Sequence, residues 1–299
     1  MILSSAPAAL APSGGLLLAA LTMVLYAAAA LPSQWSAGVG APWRRFGAAA
    51  LIGAFALHLL LLLIDIAGLA PGGGGMRWGF GPVLSMTVWL MIAVHALESR
   101  FLPLPAVRST LALAGIAGVT AALLFPGDAR HATSLWAPLH FALGVGSYAL
   151  FAAAVMHGSL LDRAERRLRG GALPASLAAR TAGAGSAASA GAAAGGGAVG
   201  LPLLQLERLT FRFVEAGFAV LTLTLLLGAF TAVHWRWDHK TVFSLLAWGV
   251  FAALLVGRHR RGWRGRQATR WLYVGAGLLL LAYVGSRFVL EVIIARPPA

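Results

Sequence analysis

The chain contains no cysteine and few charged residues. Hydrophobic residues make up 59% of its 299 residues and charged residues 11%, with only nine acidic residues in all. The absence of cysteine excludes disulfide bonds, thiolate metal sites and covalent thiol chemistry. The low charge content excludes a soluble domain of this length, because such a domain needs a charged exterior to stay in water.

Long apolar runs are abundant in this chain. Runs of about 20 apolar residues can cross the ~30 Å hydrocarbon layer of a bilayer as helices, which satisfy their own backbone hydrogen bonds. Eight such segments lie at 15–32, 46–69, 80–97, 107–125, 138–160, 211–233, 241–257 and 271–295. The sequence therefore predicts an all-α fold, a polytopic membrane helical bundle with eight transmembrane helices.

The basic residues predict how this bundle is oriented. Of the 23 arginine and lysine residues, 17 fall in the loops after helices 1, 3, 5 and 7. Basic loops stay cytoplasmic by the positive-inside rule, which places both termini outside. The net charge of +14 then reflects topology and the anionic headgroups of the lipid bilayer, and we expect no nucleic-acid partner. We predict a multi-pass protein of a bacterial inner (plasma) membrane.

A low-complexity stretch divides the chain. Residues 170–200 are nearly all Ala, Gly and Ser, a composition typical of a disordered linker. We predict a five-helix N-terminal part at 1–160, a cytoplasmic linker at 161–206 and a three-helix C-terminal part at 207–299.

The loop between the predicted helices 6 and 7 is the densest polar and aromatic segment. It reads His234-Trp235-Arg236-Trp237-Asp238-His239-Lys240. An interfacial belt accounts for the tryptophans, because Trp collects at the headgroup level, but it gives no role to the His-Asp-His grouping. Tryptophan faces, basic groups and imidazoles together suit a flat aromatic ligand that carries carboxylates and a metal.

His140, at the predicted outer start of helix 5, lies at the same depth as this loop. Two histidines from different helices can occupy both axial positions of a haem iron. We therefore take His140, with His234 or His239, as candidate metal ligands. The alternative is a surface or capping role, which is the usual one for a lone histidine at a helix start.

Ionisable residues within the predicted spans form a second group of candidates. His58, Asp65 and Glu215 are weak indications of a transporter, since such residues are costly in lipid and often functional. No internal inverted repeat supports that alternative. No GxSxG, P-loop, HExxH or paired-carboxylate signature is present, so we do not expect a stand-alone enzyme with a catalytic residue of its own.

The motif Trp235-Arg236-Trp237-Asp238 resembles the tryptophan-rich WWD signature of the cytochrome c assembly protein family. This family includes CcsA/ResC-like proteins and the short HemX/YpjD-type members, to which the layout is most similar. The similarity extends from about 135 to 295 through Leu139-His140, Ser147-Tyr148-Ala149, Leu206-Glu207-Arg208-Leu209, Gly217-Phe218, Gly228-Ala229, Lys240-Thr241 and Gly262-Trp263-Arg264-Gly265.

The resemblance implies a role in cytochrome c biogenesis, with non-covalent haem b held at the outer face beneath this loop. It implies His140 as the first outer ligand, and Trp235, Trp237 and Asp238 as residues of the haem cradle. Arg236, Lys240 or Arg287 would meet the haem propionates. The implied partners are other cytochrome c maturation membrane proteins and apocytochrome c.

Two positions depart from the family pattern. Arg287 stands where the second outer histidine is expected, and Val256 where a histidine of the helix after the motif is expected. One alternative is a haem-handling assembly protein in which His234 or His239 supplies the second ligand. The other is an accessory or regulatory membrane protein that keeps the fold and has lost haem-ligase function.

Overall fold

The computed structural model describes residues 12–31, 41–66, 68, 76–99, 105–130, 136–169, 203–231, 237–285 and 289. Within these ranges the chain forms eight helices. They are α1 (Pro12–Ala30), α2 (Ala41–Ile66), α3 (Phe80–Glu98), α4 (Pro105–Leu124), α5 (Ala137–Arg169), α6 (Leu203–Thr231), α7 (His239–Arg261) and α8 (Gly265–Leu280). A π-helical turn over Leu281–Gly285 continues α8.

Among these helices, α2 to α8 are long and apolar enough to cross a membrane, whereas the apolar part of α1, Gly14–Ala30, is shorter. The prediction of an all-helical, polytopic membrane bundle with eight helices is thereby confirmed. The orientation of the termini stays a prediction. A short antiparallel ribbon of β1 (Met76–Trp78) and β2 (Asp128–Arg130) joins the ends of this bundle at α3 and α4.

The local sequence explains several helix ends. Proline begins α1 and α4, where a missing backbone N–H costs nothing and the fixed φ suits a helix. Asp238 caps α7, because its carboxylate accepts a hydrogen bond from the Thr241 amide at 2.9 Å. At the other end of α7, Gly262 adopts φ 65°, the left-handed conformation that ends helices.

Two hydrophobic cores hold the helices together. The first belongs to α1–α4 and includes Tyr26 and Leu111. The second belongs to α5–α8 and is centred on Phe151 and Phe251, whose rings stack with centroids 3.8 Å apart. Close helix approach depends on small residues here: a Cβ on Gly275 would lie 2.7 Å from the Phe251 ring.

Helix α5 therefore shares its core with α6–α8, while its Met156 and Leu160 pack against the first core. Both α5 and α6 extend into the range 161–206 that the sequence analysis assigned to a linker. The remainder of that range lies outside the described residues, and the division into five-helix and three-helix parts stays a prediction.

The arginine-rich ends of α5–α8 gather at one end of the bundle. The Arg258 guanidinium of α7 lies 2.8 Å from the Glu207 carboxylate near the start of α6. Asp162 of α5 accepts hydrogen bonds from Thr269 and Tyr273 of α8, at 2.9 and 2.8 Å. These bonds fix the helix ends opposite to those that carry His140 and Asp238.

His58 lies fully buried between α1, α2 and α3. Its Nδ1 is 3.0 Å from the Tyr26 hydroxyl, and its Nε2 is 2.7 Å from the Ser85 hydroxyl. A neutral imidazole offers one donor and one acceptor, and a hydroxyl can match either. This network accounts for the buried imidazole without a transport role.

Candidate functional site

A cavity of about 590 Å³ opens at the end of the bundle opposite the arginine-rich ends. Five helices contribute to it: the start of α3, the starts of α5 and α7, and the ends of α6 and α8. Its walls are mainly apolar, with Val83, Phe141 and Leu225 among them. A volume of this size, with few polar groups in apolar walls, is typical of a small-molecule or cofactor site.

His140 is the imidazole in this cavity. It lies in the first turn of α5, where its amide bonds to the Trp136 carbonyl at 2.9 Å, and its side chain is exposed to the cavity. Gly228 of α6 makes room for the ring, since a Cβ there would lie 2.9 Å from Cε1 of His140. The imidazole also makes a hydrogen bond with the Thr224 backbone.

The position of the His140 imidazole would suit a residue that holds a haem iron. Histidines that bind a metal through one ring nitrogen commonly donate the other N–H to a backbone carbonyl or a carboxylate, which fixes the tautomer and the ring orientation. The bond to Thr224 supplies such a constraint from α6. Apolar walls on either side suit a macrocycle that is largely hydrocarbon.

Asp238 and Lys240 line the same cavity as His140, at the start of α7. The Asp238 carboxylate accepts from both the amide and the hydroxyl of Thr241 at 2.9 Å. Partial burial raises the pKa of this carboxyl, but these two bonds and the nearby charges of Lys240 and His239 outweigh it, so the pKa lies below its usual range. The Lys240 amine lies 5.6 Å above the centre of the Tyr283 ring.

The structure brings together three of the predicted site residues, His140, Asp238 and Lys240. Two others that it describes lie elsewhere: the Trp237 side chain is 72% exposed, and the exposed His239 begins α7 without lining the cavity. His234, Trp235, Arg236 and Arg287 lie outside the described residues.

Sequence reasoning gave no site role to most of the lining residues, among them Tyr148, Thr224, Gly228 and Tyr283. A helical stripe could have indicated part of this set. Residues 221, 224, 225 and 228 of α6 recur with the spacing of one helix face, and residues 137, 140, 141, 144 and 148 of α5 do the same. Tyr283 has no comparable signal, because the π-helical turn changes its direction.

Across the part of the chain that the structure describes, no three His, Asp or Glu side chains are placed to hold a metal ion together. A cofactor that brings its own metal and takes one or two histidines as axial ligands needs no such group.

Fold and cavity together define a polytopic membrane protein with an apolar, histidine-bearing site at one end of its helices. The sequence model of the family described as "Cytochrome C assembly protein" matches residues 16–294. The match covers most of the chain, so the chain belongs to this family. The resemblance inferred from the tryptophan-rich motif is confirmed.

Relatives of two kinds are similar to the chain. The "Inner membrane protein YpjD" of Escherichia coli (strain K12) is 41% identical over 96 residues, 31% of this chain and 36% of the relative. The "Cytochrome c biogenesis protein CcsA" of Synechococcus sp. is 29% identical over 222 residues, 68% of this chain and 71% of the relative. The "Cytochrome c biogenesis protein CcsA" of Synechococcus elongatus is 29% identical over 262 residues, which cover 71% of this chain and 78% of the relative.

The match to YpjD covers only about a third of that relative's length, and the matches to CcsA cover more of both chains. No solved structure matches the chain.

Proposed function

We propose that this protein binds haem b non-covalently in the cavity between α5, α6, α7 and α8, and serves cytochrome c biogenesis as a haem-handling component. The observation that carries the proposal is the His140 imidazole, which lies in an apolar cavity with Gly228 beneath it and a backbone bond to Thr224. Family membership supplies the cofactor class, since the CcsA relatives are named for cytochrome c biogenesis.

His140 is the proposed axial ligand. Its neutral imidazole would bind iron through the ring nitrogen that the Thr224 backbone leaves unused. When bound, haem supplies an iron centre and two carboxylates, and the protein's own contribution is to orient it and exclude water. We propose that His234 or His239 would be the second histidine to hold the iron.

Lys240 is the proposed partner of a haem propionate among the described residues. An ammonium group is a compact cation that pairs with carboxylates, and the start of α7 adds the positive end of the helix dipole. Arg236 and Arg287 remain candidates for the same role. Asp238 would act by capping α7 and so fixing Lys240, with Trp235 and Trp237 as proposed cradle residues.

The proposed location of the cavity is the outer, periplasmic face of a bacterial inner membrane. The arginine-rich helix ends support this placement, because they lie opposite the cavity and basic segments stay cytoplasmic. The name of the YpjD relative supports the inner membrane. Other cytochrome c maturation proteins and apocytochrome c are the proposed partners, and they would approach from the periplasm.

An absorption spectrum of the detergent-purified protein, supplied with haem, tests the proposal. We expect a Soret band and sharpened bands after dithionite reduction in the wild type, and their loss in His140→Ala. His259→Ala is the matched control, because His259 lies at the far end of α7 with Nδ1 2.9 Å from the Leu255 carbonyl. A flat wild-type spectrum would overturn haem binding. Normal c-type cytochrome levels in a deletion strain would overturn the role in biogenesis.

A specific observation favours an accessory protein of the same fold as the second candidate. Val256, at the position of an expected histidine, is 55% exposed on α7 and offers no ligand. A protein that has lost one family ligand could retain the outer cavity for regulation of haem supply. Haem binding without any effect of deletion on cytochrome c levels would support this candidate.

A further inference from the structure

The end of α8 changes its helical pattern where it forms a wall of the cavity. The helix is regular up to Leu280 and becomes π-helical over Leu281–Gly285. Leu279, Ala282 and Tyr283, on both sides of this change, line the cavity. Short π-helical segments are rare and frequently occur at functional sites.

Tyr148 of α5 bonds to the backbone of α8 at this change. Its hydroxyl donates to the Leu279 carbonyl at 2.8 Å. In a regular α-helix, that carbonyl would accept from the amide four residues later, which is Tyr283. A π-helical turn shifts the pattern to five residues, and a side chain that bonds into the backbone ladder is an established cause of such local changes.

The direction of Tyr283 depends on this turn. One additional residue in a helical turn rotates the following side chains by about 100° around the axis. In the π-helical turn, the Tyr283 ring lies beneath the Lys240 amine at 5.6 Å. A cation over an aromatic face is attracted by the ring, so the ring restrains where the ammonium group lies.

We propose that Tyr148 is a positioning residue of the cavity: its hydroxyl holds the end of α8 in the π-helical turn, and the turn places Tyr283 beneath Lys240. Tyr148 thereby fixes the cation on α7 through α8, without contact between Tyr148 and Lys240 being required. The role of Tyr148 in holding the π-helical turn does not depend on haem. Only the pairing of Lys240 with a carboxylate of the ligand rests on the proposed haem binding.

Tyr273 provides an unusually close control. Its hydroxyl also connects α8 to α5, through a bond of 2.8 Å to the Asp162 carboxylate at the arginine-rich end of the same two helices. Tyr148→Phe and Tyr273→Phe remove the same atom from the same helix pair. Only Tyr148→Phe removes a hydroxyl at the cavity. A general loss of packing between α5 and α8 would therefore affect both variants, whereas a positioning effect would affect Tyr148→Phe alone.

The first measurement is amide hydrogen exchange at residues 280–285, which does not depend on haem. We expect Tyr148→Phe to increase exchange there by about threefold to tenfold, the range for the loss of one hydrogen bond. Tyr273→Phe should leave these amides unchanged. Equal effects of the two variants, or no effect of Tyr148→Phe, would overturn the positioning role.

The second measurement is haem affinity from Soret titration of the full-length protein. We expect Tyr148→Phe to weaken binding about threefold to tenfold. The effect should vanish in a Lys240→Met background, because the cation over the Tyr283 ring is then absent. An equal loss in both backgrounds would overturn the link to Lys240. If the wild type binds no haem, the proposed function fails, and the exchange measurement still decides the role of Tyr148.

Discussion

Nε2 of His157 lies 2.8 Å from a carboxylate oxygen of Glu98, which joins α5 to α3 between the two hydrophobic cores. The opposite ring nitrogen, Nδ1, lies 2.7 Å from the Ala153 carbonyl. A carbonyl can only accept, so Nδ1 carries a hydrogen. Nε2 therefore faces the Glu98 carboxylate, and Nδ1 of His95 lies 3.9 Å from the other oxygen of the same carboxylate.

We expect Glu98→Ala to destabilise the protein by about 1–3 kcal/mol, the usual cost of leaving a buried hydrogen-bonding group, here Nε2 of His157, without its partner. Glu98→Gln should cost much less, because its amide can donate to an unprotonated Nε2. Thermal unfolding in detergent measures both variants. Equal destabilisation by the two changes would show that the glutamine amide does not replace the carboxylate as a partner of Nε2.

Gly228→Ala should disturb His140 while it improves helix propensity. The new Cβ would lie 2.9 Å from Cε1 of His140, so the imidazole has to shift. Haem affinity should fall by about 10–100-fold, the range seen when a partner that orients a ligand is changed. Gly146→Ala on α5 is the control, because a Cβ there meets nothing within 4 Å. Soret titration of both variants decides the matter, and unchanged affinity in Gly228→Ala would contradict the proposed ligand.

Two substitutions of Asp238 distinguish its role as a helix cap from the effect of its negative charge. Asp238→Ala should lower the free energy of unfolding by about 0.5–2 kcal/mol, because the helix cap is lost. Asp238→Asn should lower it much less, because asparagine also caps helices. The pKa of the Asp238 carboxyl is lower in the folded protein than in the unfolded chain, so its ionised form stabilises the fold. This stabilisation is fully present at pH values above the unfolded pKa of about 4, and it is lost as the pH falls through the pKa of the folded protein. Unfolding experiments at pH 7 and pH 3 should therefore show the wild type approaching Asp238→Asn only at the lower pH.

The second axial ligand can be identified from two substitutions. His239 is exposed and does not line the cavity, so we expect His239→Ala to keep the wild-type haem spectrum. His234→Ala should then alter the oxidised and reduced bands while some haem remains bound through His140. The reverse pattern would assign the ligand to His239 and require the start of α7 to rearrange on binding.

The number of helices followed from the sequence because the length of an apolar run is a local property. The helix ends did not follow, because hydropathy marks only the part within lipid. Helix α5 continues beyond 160 to Arg169, and its polar extension is held by the bonds of Asp162 to Thr269 and Tyr273 of α8. Those partners lie more than 100 residues away in the sequence.

The site was predictable to a similar extent. His140 and Lys240 were candidates because of their residue types and positions, and Asp238 because of the resemblance to the cytochrome c assembly family; all three line the cavity. The contributions of Gly228 and Tyr148 depend on which side chain approaches them from another helix. His58 shows the same limit, because its two hydroxyl partners come from α1 and α3.

Helix α3 reaches from the cavity to the buried pair. Val83 lines the cavity and Glu98 contacts His157, and these residues are separated by 15 positions of one continuous helix, about 22 Å along its axis. A tilt of α3 at one end would therefore move the other end as well. The cavity wall contributed by α3 thus belongs to a helix whose other end is joined to α5 by Glu98, and we expect a substitution of Glu98 to alter the affinity for a ligand that it does not contact.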